Sequence, residues 1–261
     1  MQRSITAWPP FLAYGAIVAI HLAQIVIGDP GRGIGKALLM PVLLGVVLWL
    51  ALGRHRAAFH GRRERTGLVL LCVGIAFSWA GDVLLEMSFL IGLSGFALAH
   101  ITYILLFTGP ARSHRPTAWA VAPVAWTALL VPVLWPHLGE LAVVVLLYAF
   151  VLAGTAATST GVSAAVGIGG ALFLASDSLL AFRLFWPDFA SVFPDPWQDV
   201  TVMALYCAGE GLIAYGVVRR LIEGPLCEGP LSEGSATGGQ VRERGGLDEP
   251  APSGLPRPRR R

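Results

Sequence analysis

Lysine is nearly absent from this chain. Lys36 is the only one in 261 residues, and charged side chains of all kinds make up 13% of the sequence. Soluble domains carry about 25% charge and about 45–50% apolar residues, whereas this chain is 55% hydrophobic with a mean hydropathy of +0.66. That balance excludes most soluble enzymes. A pI near 9.0 suggests a polyanion partner, but the basic residues are arginines in short loops and at the chain ends. Such placement orients a protein in a bilayer and does not bind nucleic acid. Cysteine is scarce too: Cys72, Cys207 and Cys227 share no spacing motif, which excludes a disulfide framework and a zinc knuckle. Period-two alternation is also missing, so a membrane β-barrel is not predicted.

What is present is a series of long apolar runs. About 20 apolar residues cross the roughly 30 Å hydrocarbon core. Eight segments meet that measure: about 9–27, 35–52, 66–86, 89–108, 117–135, 139–158, 163–186 and 198–221. The fold class is all-α, a polytopic membrane bundle of about eight helices over residues 1–222. The first run is read as a membrane helix because Gly28-Asp29-Pro30-Gly31 is not a small-x-small cleavage site. Arg54, Arg56, Arg62, Arg63 and Arg65, then Arg112 and Arg115, then Arg219 and Arg220 fall on one side of an eight-span bundle. Positive charge in short loops marks the cytoplasmic face, so both termini are predicted in the cytoplasm of a cell-membrane protein. The opposite side has Asp29, Glu86, Glu140, Asp188, Asp195 and Asp199, with only Arg32, Lys36 and Arg183 against them. Residues 223–261 are rich in Gly, Pro, Ser, Glu and Arg and are predicted to be a disordered cytoplasmic tail.

The informative residues are polar groups inside apolar spans, where each is a functional-site hypothesis by default. Asp82 and Glu86 are four apart and share a helix face. His100 and Tyr103 stack on the fourth span, Asp177 with Ser176 lies past the middle of the seventh, and Tyr206 with Glu210 lies on the eighth. Lys36 stands at the mouth of the second. All are expected in the central-to-outer half of the membrane. Two acids at similar depth on different helices form a general acid/base pair when one holds a proton and the other is ionised, which burial and mutual repulsion favour. Ala80-Gly-Asp82-Val-Leu-Leu resembles Ala175-Ser-Asp177-Ser-Leu-Leu four spans later. A parallel duplication of a four-helix unit would bring both carboxylates to one pocket. His21 and Ser78 read more simply as structural groups.

No G-x-S-x-G elbow, H-E-x-x-H or paired-histidine pattern occurs in the spans, so no metal or cofactor is expected. Trp79-Ala80-Gly81-Asp82 lacks the first glycine of the Gly-x-Gly-Asp motif of intramembrane aspartyl proteases, and the second aspartate is four spans away. The chain instead resembles the YhhN family of membrane proteins, over roughly residues 8–220. The matching pieces are Lys36 with Met40-Pro41, Gly81-Asp82 with Leu84-Leu85, Gly95-Phe96 with His100 and Tyr103, Gly169-Gly170-Ala-Leu-Phe173 with Ser176-Asp177-Ser178, and Tyr206. Glu210 departs from the glutamine that the resemblance implies there.

The resemblance implies a lysoplasmalogenase-like hydrolase, with a lysophospholipid from the surrounding membrane lipid as its partner. It would cleave the sn-1 vinyl ether to a fatty aldehyde and a glycerophospho head group. On that reading Asp82 and Asp177 are the catalytic pair, with neither assigned as the acid. Lys36 lies near the phosphate, His100 and Tyr103 orient water or the glycerol hydroxyl, and Ser176, Tyr206 and Glu210 complete the substrate site. The alternative needs no chemistry: a small transporter or lipid-binding protein using the carboxylates as a proton or cation relay.

Overall fold

The computed structural model of the chain describes residues 8–224. These form helices and turns, and no strand occurs among the described residues. The helices are α1 (Phe11–Val26), α2 (Arg32–Leu48), α3 (Arg62–Leu85), α4 (Phe89–Thr108), α5 (Val121–Leu134), α6 (Ala142–Ser159), α7 (Ala164–Phe185), the single turn α8 (Phe189–Val192) and α9 (Trp197–Glu223). The predicted tail begins at Glu223, which ends α9, and from residue 225 on it lies outside the described residues.

Seven stretches are long and apolar enough to cross a bilayer, each comprising one of α2–α7 or α9 with any flanking turns. The chain is a multi-pass membrane protein. Two spans are extended by other helix types. A π-helical stretch, Trp49–Arg54, prolongs α2, and 3-10 turns at Ala118–Ala120 and Trp135–His137 flank α5. The first of the eight expected helices also forms, but at 16 residues it rises about 24 Å, short of the hydrocarbon core. Pro9-Pro10 precede its first turn, and Gly28, at φ 67°, turns the chain just after it.

Small residues decide which helices pack closest. The buried positions of α3 are Gly67, Leu71, Gly74, Ile75, Ser78, Gly81 and Asp82, which recur every three or four residues, twice as adjacent pairs, along one stripe. Lipid tails are as apolar as leucine, so membrane helices associate through close backbone approach at small residues. α3 lies against α4 where Gly81 meets Gly95: a methyl group at Gly95 would be 2.9 Å from Cα of Gly81. α7 lies against α9 in the same manner, with a methyl at Gly169 falling 2.8 Å from the carbonyl oxygen of Gly209. These two pairs are the most extensive helix contacts in the bundle, and both carry buried carboxyl groups. The outward faces are apolar, with Leu129, Val133, Leu147 and Phe150 largely exposed on α5 and α6, as a lipid-facing surface requires.

Candidate active site

Four connections meet at one end of the bundle: α1–α2, α3–α4, α5–α6 and α7–α9. The four-residue turn Gly28-Asp29-Pro30-Gly31 is tied by Asp29, whose Oδ1 accepts from the Gly31 amide at 2.7 Å and whose Oδ2 accepts from Gln24 Nε2 at 3.2 Å. That turn sets Arg32 and Lys36 on the first turns of α2. A cavity of about 480 Å³ opens among these connections and runs inward, lined from α1 to α7 and by α9. Its walls are mostly apolar, including Leu85, Phe96, Leu134, Leu152, Leu174 and Val202.

Asp82 and Asp177 both line this cavity, from α3 and α7. Asp82 is buried and accepts from the Tyr206 hydroxyl at 2.7 Å. Asp177, partly exposed to the cavity, accepts a short hydrogen bond from the Tyr148 hydroxyl. Each carboxyl is thus held by a tyrosine from a different helix. Ser176 lines the cavity as well, with its hydroxyl turned to the Val202 carbonyl at 2.9 Å. Lys36 stands at the opening with Nζ 3.4 Å from Glu86, which is 61% exposed. Arg183 pairs with Asp199 on the far side of the opening. The three cations of the otherwise acidic end, Arg32, Lys36 and Arg183, therefore all border one cavity.

Three residues expected to touch substrate do not line it. Glu210 is fully buried behind the cavity, where it accepts from Ser78 at 2.6 Å and Tyr103 at 2.7 Å. Tyr103 is consequently committed to Glu210. The long phenol explains this arrangement: its ring fills the space left by Gly74, where a methyl would lie 2.3 Å from the ring. His100, also fully buried, stacks edge-on to Phe173 with ring centroids 4.6 Å apart. Its Nε2 is 3.3 Å from the Tyr148 hydroxyl. His100, Tyr103 and Glu210 are a supporting layer and not a contact surface.

Ser78, read as structural in the sequence, is a Glu210 partner. Tyr148 was missed altogether. It sits in the run Ala142-Val-Val-Val-Leu-Leu-Tyr148, where a buried phenol hydroxyl needs a polar partner, but nothing in that run says which helix supplies it. Among the described residues no three His, Cys, Asp or Glu side chains gather as a metal site.

A membrane bundle with paired carboxyl–tyrosine contacts facing one cation-rimmed, apolar cavity is the class of protein these features define. The chain belongs to the YhhN family, whose family model matches residues 32–217. It is similar to proteins named lysoplasmalogenase from Mycobacterium bovis and Mycobacterium tuberculosis. Each is 29% identical over 224 residues, covering 78% of this chain and 79% of the relative. No solved structure matches the chain significantly.

Proposed function

We propose that the protein hydrolyses the vinyl ether of a lysoplasmalogen or a closely related lysolipid. The single observation that carries this reading is the shared cavity: both carboxyls open onto it, apolar side chains wall it, and cations border its mouth. A single-chain phospholipid has the matching sequence of parts, an anionic head group, a polar linkage and a hydrocarbon tail. The mycobacterial relatives' name agrees with that substrate class.

Vinyl ethers resist nucleophiles and react with acid. A protonated carboxyl delivers its proton to the carbon β to the ether oxygen, leaving an oxocarbenium ion on the oxygen-bearing carbon. An ionised carboxylate across the cavity stabilises that cation and takes a proton from the water that adds to it. The hemiacetal hydroxyl then returns a proton to the first carboxylate while the bond to the glycerol oxygen breaks, and that oxygen takes the proton held by the second carboxyl, releasing the aldehyde. One water is consumed, and the proton donor is restored. Asp82 and Asp177 fill the two roles, Tyr206 and Tyr148 orient them, and Lys36 lies beside the phosphate. The arginine-rich end of the bundle faces the cytoplasm, so a cysteine introduced at Arg115 should label with an impermeant maleimide only after cells are permeabilised.

Purified protein given lysoplasmenylethanolamine or lysoplasmenylcholine should release fatty aldehyde and the matching glycerophospho compound. Carboxylate-dependent proton or cation flux in proteoliposomes, with no aldehyde formed, would instead favour the relay. Tyr148→Phe refines the assignment. A hydrogen bond to a charged group contributes about 1.5–3 kcal/mol, so losing the one to Asp177 should lower kcat by roughly ten- to a hundred-fold. KM should change little, because the phenol ring stays in place.

A further inference from the structure

His21, on α1, is a polar side chain that the reaction scheme leaves unused. It is 3% exposed, lines the cavity, and both of its ring nitrogens are buried without a hydrogen-bond partner. A buried polar group without a partner is destabilising, so the two bare ring nitrogens call for a reason. The surroundings supply one. A methyl group at Gly35 would lie 3.1 Å from His21 Nδ1 and 2.2 Å from Gln24 Oε1, so the ring and the Gln24 amide both rest on the bare backbone of α2. Arg32, Gly35 and Lys36 are three and four residues apart and share that face of α2. Arg32 and Lys36 also line the cavity. Lys36 has three N–H donors and gives one to Glu86, leaving two for another anion.

We propose that His21, Arg32 and Lys36 form an anion subsite that takes the phosphodiester of a single-chain phospholipid. This rests on the lysolipid reading above and deepens it by assigning recognition of the phosphate to the α1–α2 hairpin. The imidazole donates to a phosphate oxygen from the buried side, while the guanidinium and ammonium hold it from the solvent side. Charge-assisted hydrogen bonds of this kind are roughly twice as strong as neutral ones. The subsite makes the protein selective for phosphate-bearing lipids over neutral alkenylglycerols.

The test measures binding of a non-hydrolysable probe, 1-O-hexadecyl-lysophosphatidylcholine, against 1-O-hexadecylglycerol, which lacks the phosphate. The purified full chain in detergent should bind the phospholipid at least about tenfold more tightly. His21→Leu should remove most of that preference, leave hexadecylglycerol binding unchanged, and hold or raise the melting temperature, because an unsatisfied polar group has been deleted. A histidine with a purely structural role would instead lower it. Arg32→Gln, at an exposed position, should weaken the phospholipid alone in the same direction. Equal affinity of the wild type for the two probes, or an undiminished preference in both variants, overturns the subsite. Displacement of the probe by inorganic phosphate at comparable concentration would make this a free-anion site and overturn the lipid assignment. If phosphate selectivity holds but no lysoplasmalogen yields aldehyde, the hydrolase reading fails and the subsite stands.

Discussion

Asp82→Asn and Asp177→Asn should each lower aldehyde release by roughly a hundred- to ten-thousand-fold, the usual contribution of a positioned general acid or base, with the fold intact. Asparagine has the shape of aspartate and keeps a carbonyl oxygen to accept from Tyr206 or Tyr148. The loss would therefore report on proton transfer and not on packing, provided the melting temperature is preserved. The chemistry leaves a second mark. Because the proton is delivered to carbon, hydrolysis in heavy water should place one deuterium on the carbon next to the aldehyde group, read by mass spectrometry. Slow proton transfer to carbon should also give a solvent isotope effect on kcat. Aldehyde that carries no deuterium would rule out the protonation step, and full activity in both variants would dismiss the pair.

The fold was legible because membrane helices state themselves locally: an apolar run of sufficient length has few alternatives in lipid. Asp82, Asp177 and Lys36 stood out by the same rule, since an ionisable group in such a run demands a partner or a cavity. The partners themselves were hidden. Tyr148 reaches Asp177 from α6, and Ser78 reaches Glu210 across 132 residues of sequence; neither relation has a sequence spacing to betray it. The two unpartnered ring nitrogens of His21 had no sequence signal either. Whether a buried histidine is satisfied depends on what faces it, and here that is the backbone at Gly35 and the Gln24 amide. His100, Tyr103 and Glu210 were expected at the cavity and lie behind its wall. Periodicity fixes which face of a helix a residue occupies, whereas depth behind that face depends on the size of its neighbours, Gly74 and Phe173 in this case.

The glycine contacts yield the most severe expected effect on folding, and they do so with an internal control. In an open helical position, glycine to alanine is favourable by about 1 kcal/mol, because alanine has the higher helix propensity. Gly15 on α1 and Gly45 on α2 are such positions, with no atom within 4 Å of an added methyl group. Gly15→Ala and Gly45→Ala should hold or raise the melting temperature in detergent. At Gly95 the same methyl would lie 2.9 Å from both Cα and N of Gly81, and at Gly209 it would lie 2.9 Å from the Gly169 carbonyl oxygen. Those obstacles are backbone and cannot rotate away, so the helices must separate. Overpacking of this kind typically costs about 1–3 kcal/mol, and more when nothing can yield. Gly95→Ala and Gly209→Ala should therefore lower the melting temperature, and leucine at either position should prevent recovery of a monodisperse protein. The damage would not stop at stability. Asp82 follows Gly81 directly and Glu210 follows Gly209, so any parting of these helix pairs shifts a carboxyl relative to its tyrosine. Activity should consequently fall further than the folded fraction does in the alanine variants. If it falls only in proportion to the folded protein, the close contacts serve packing alone and the carboxyls are positioned by other means.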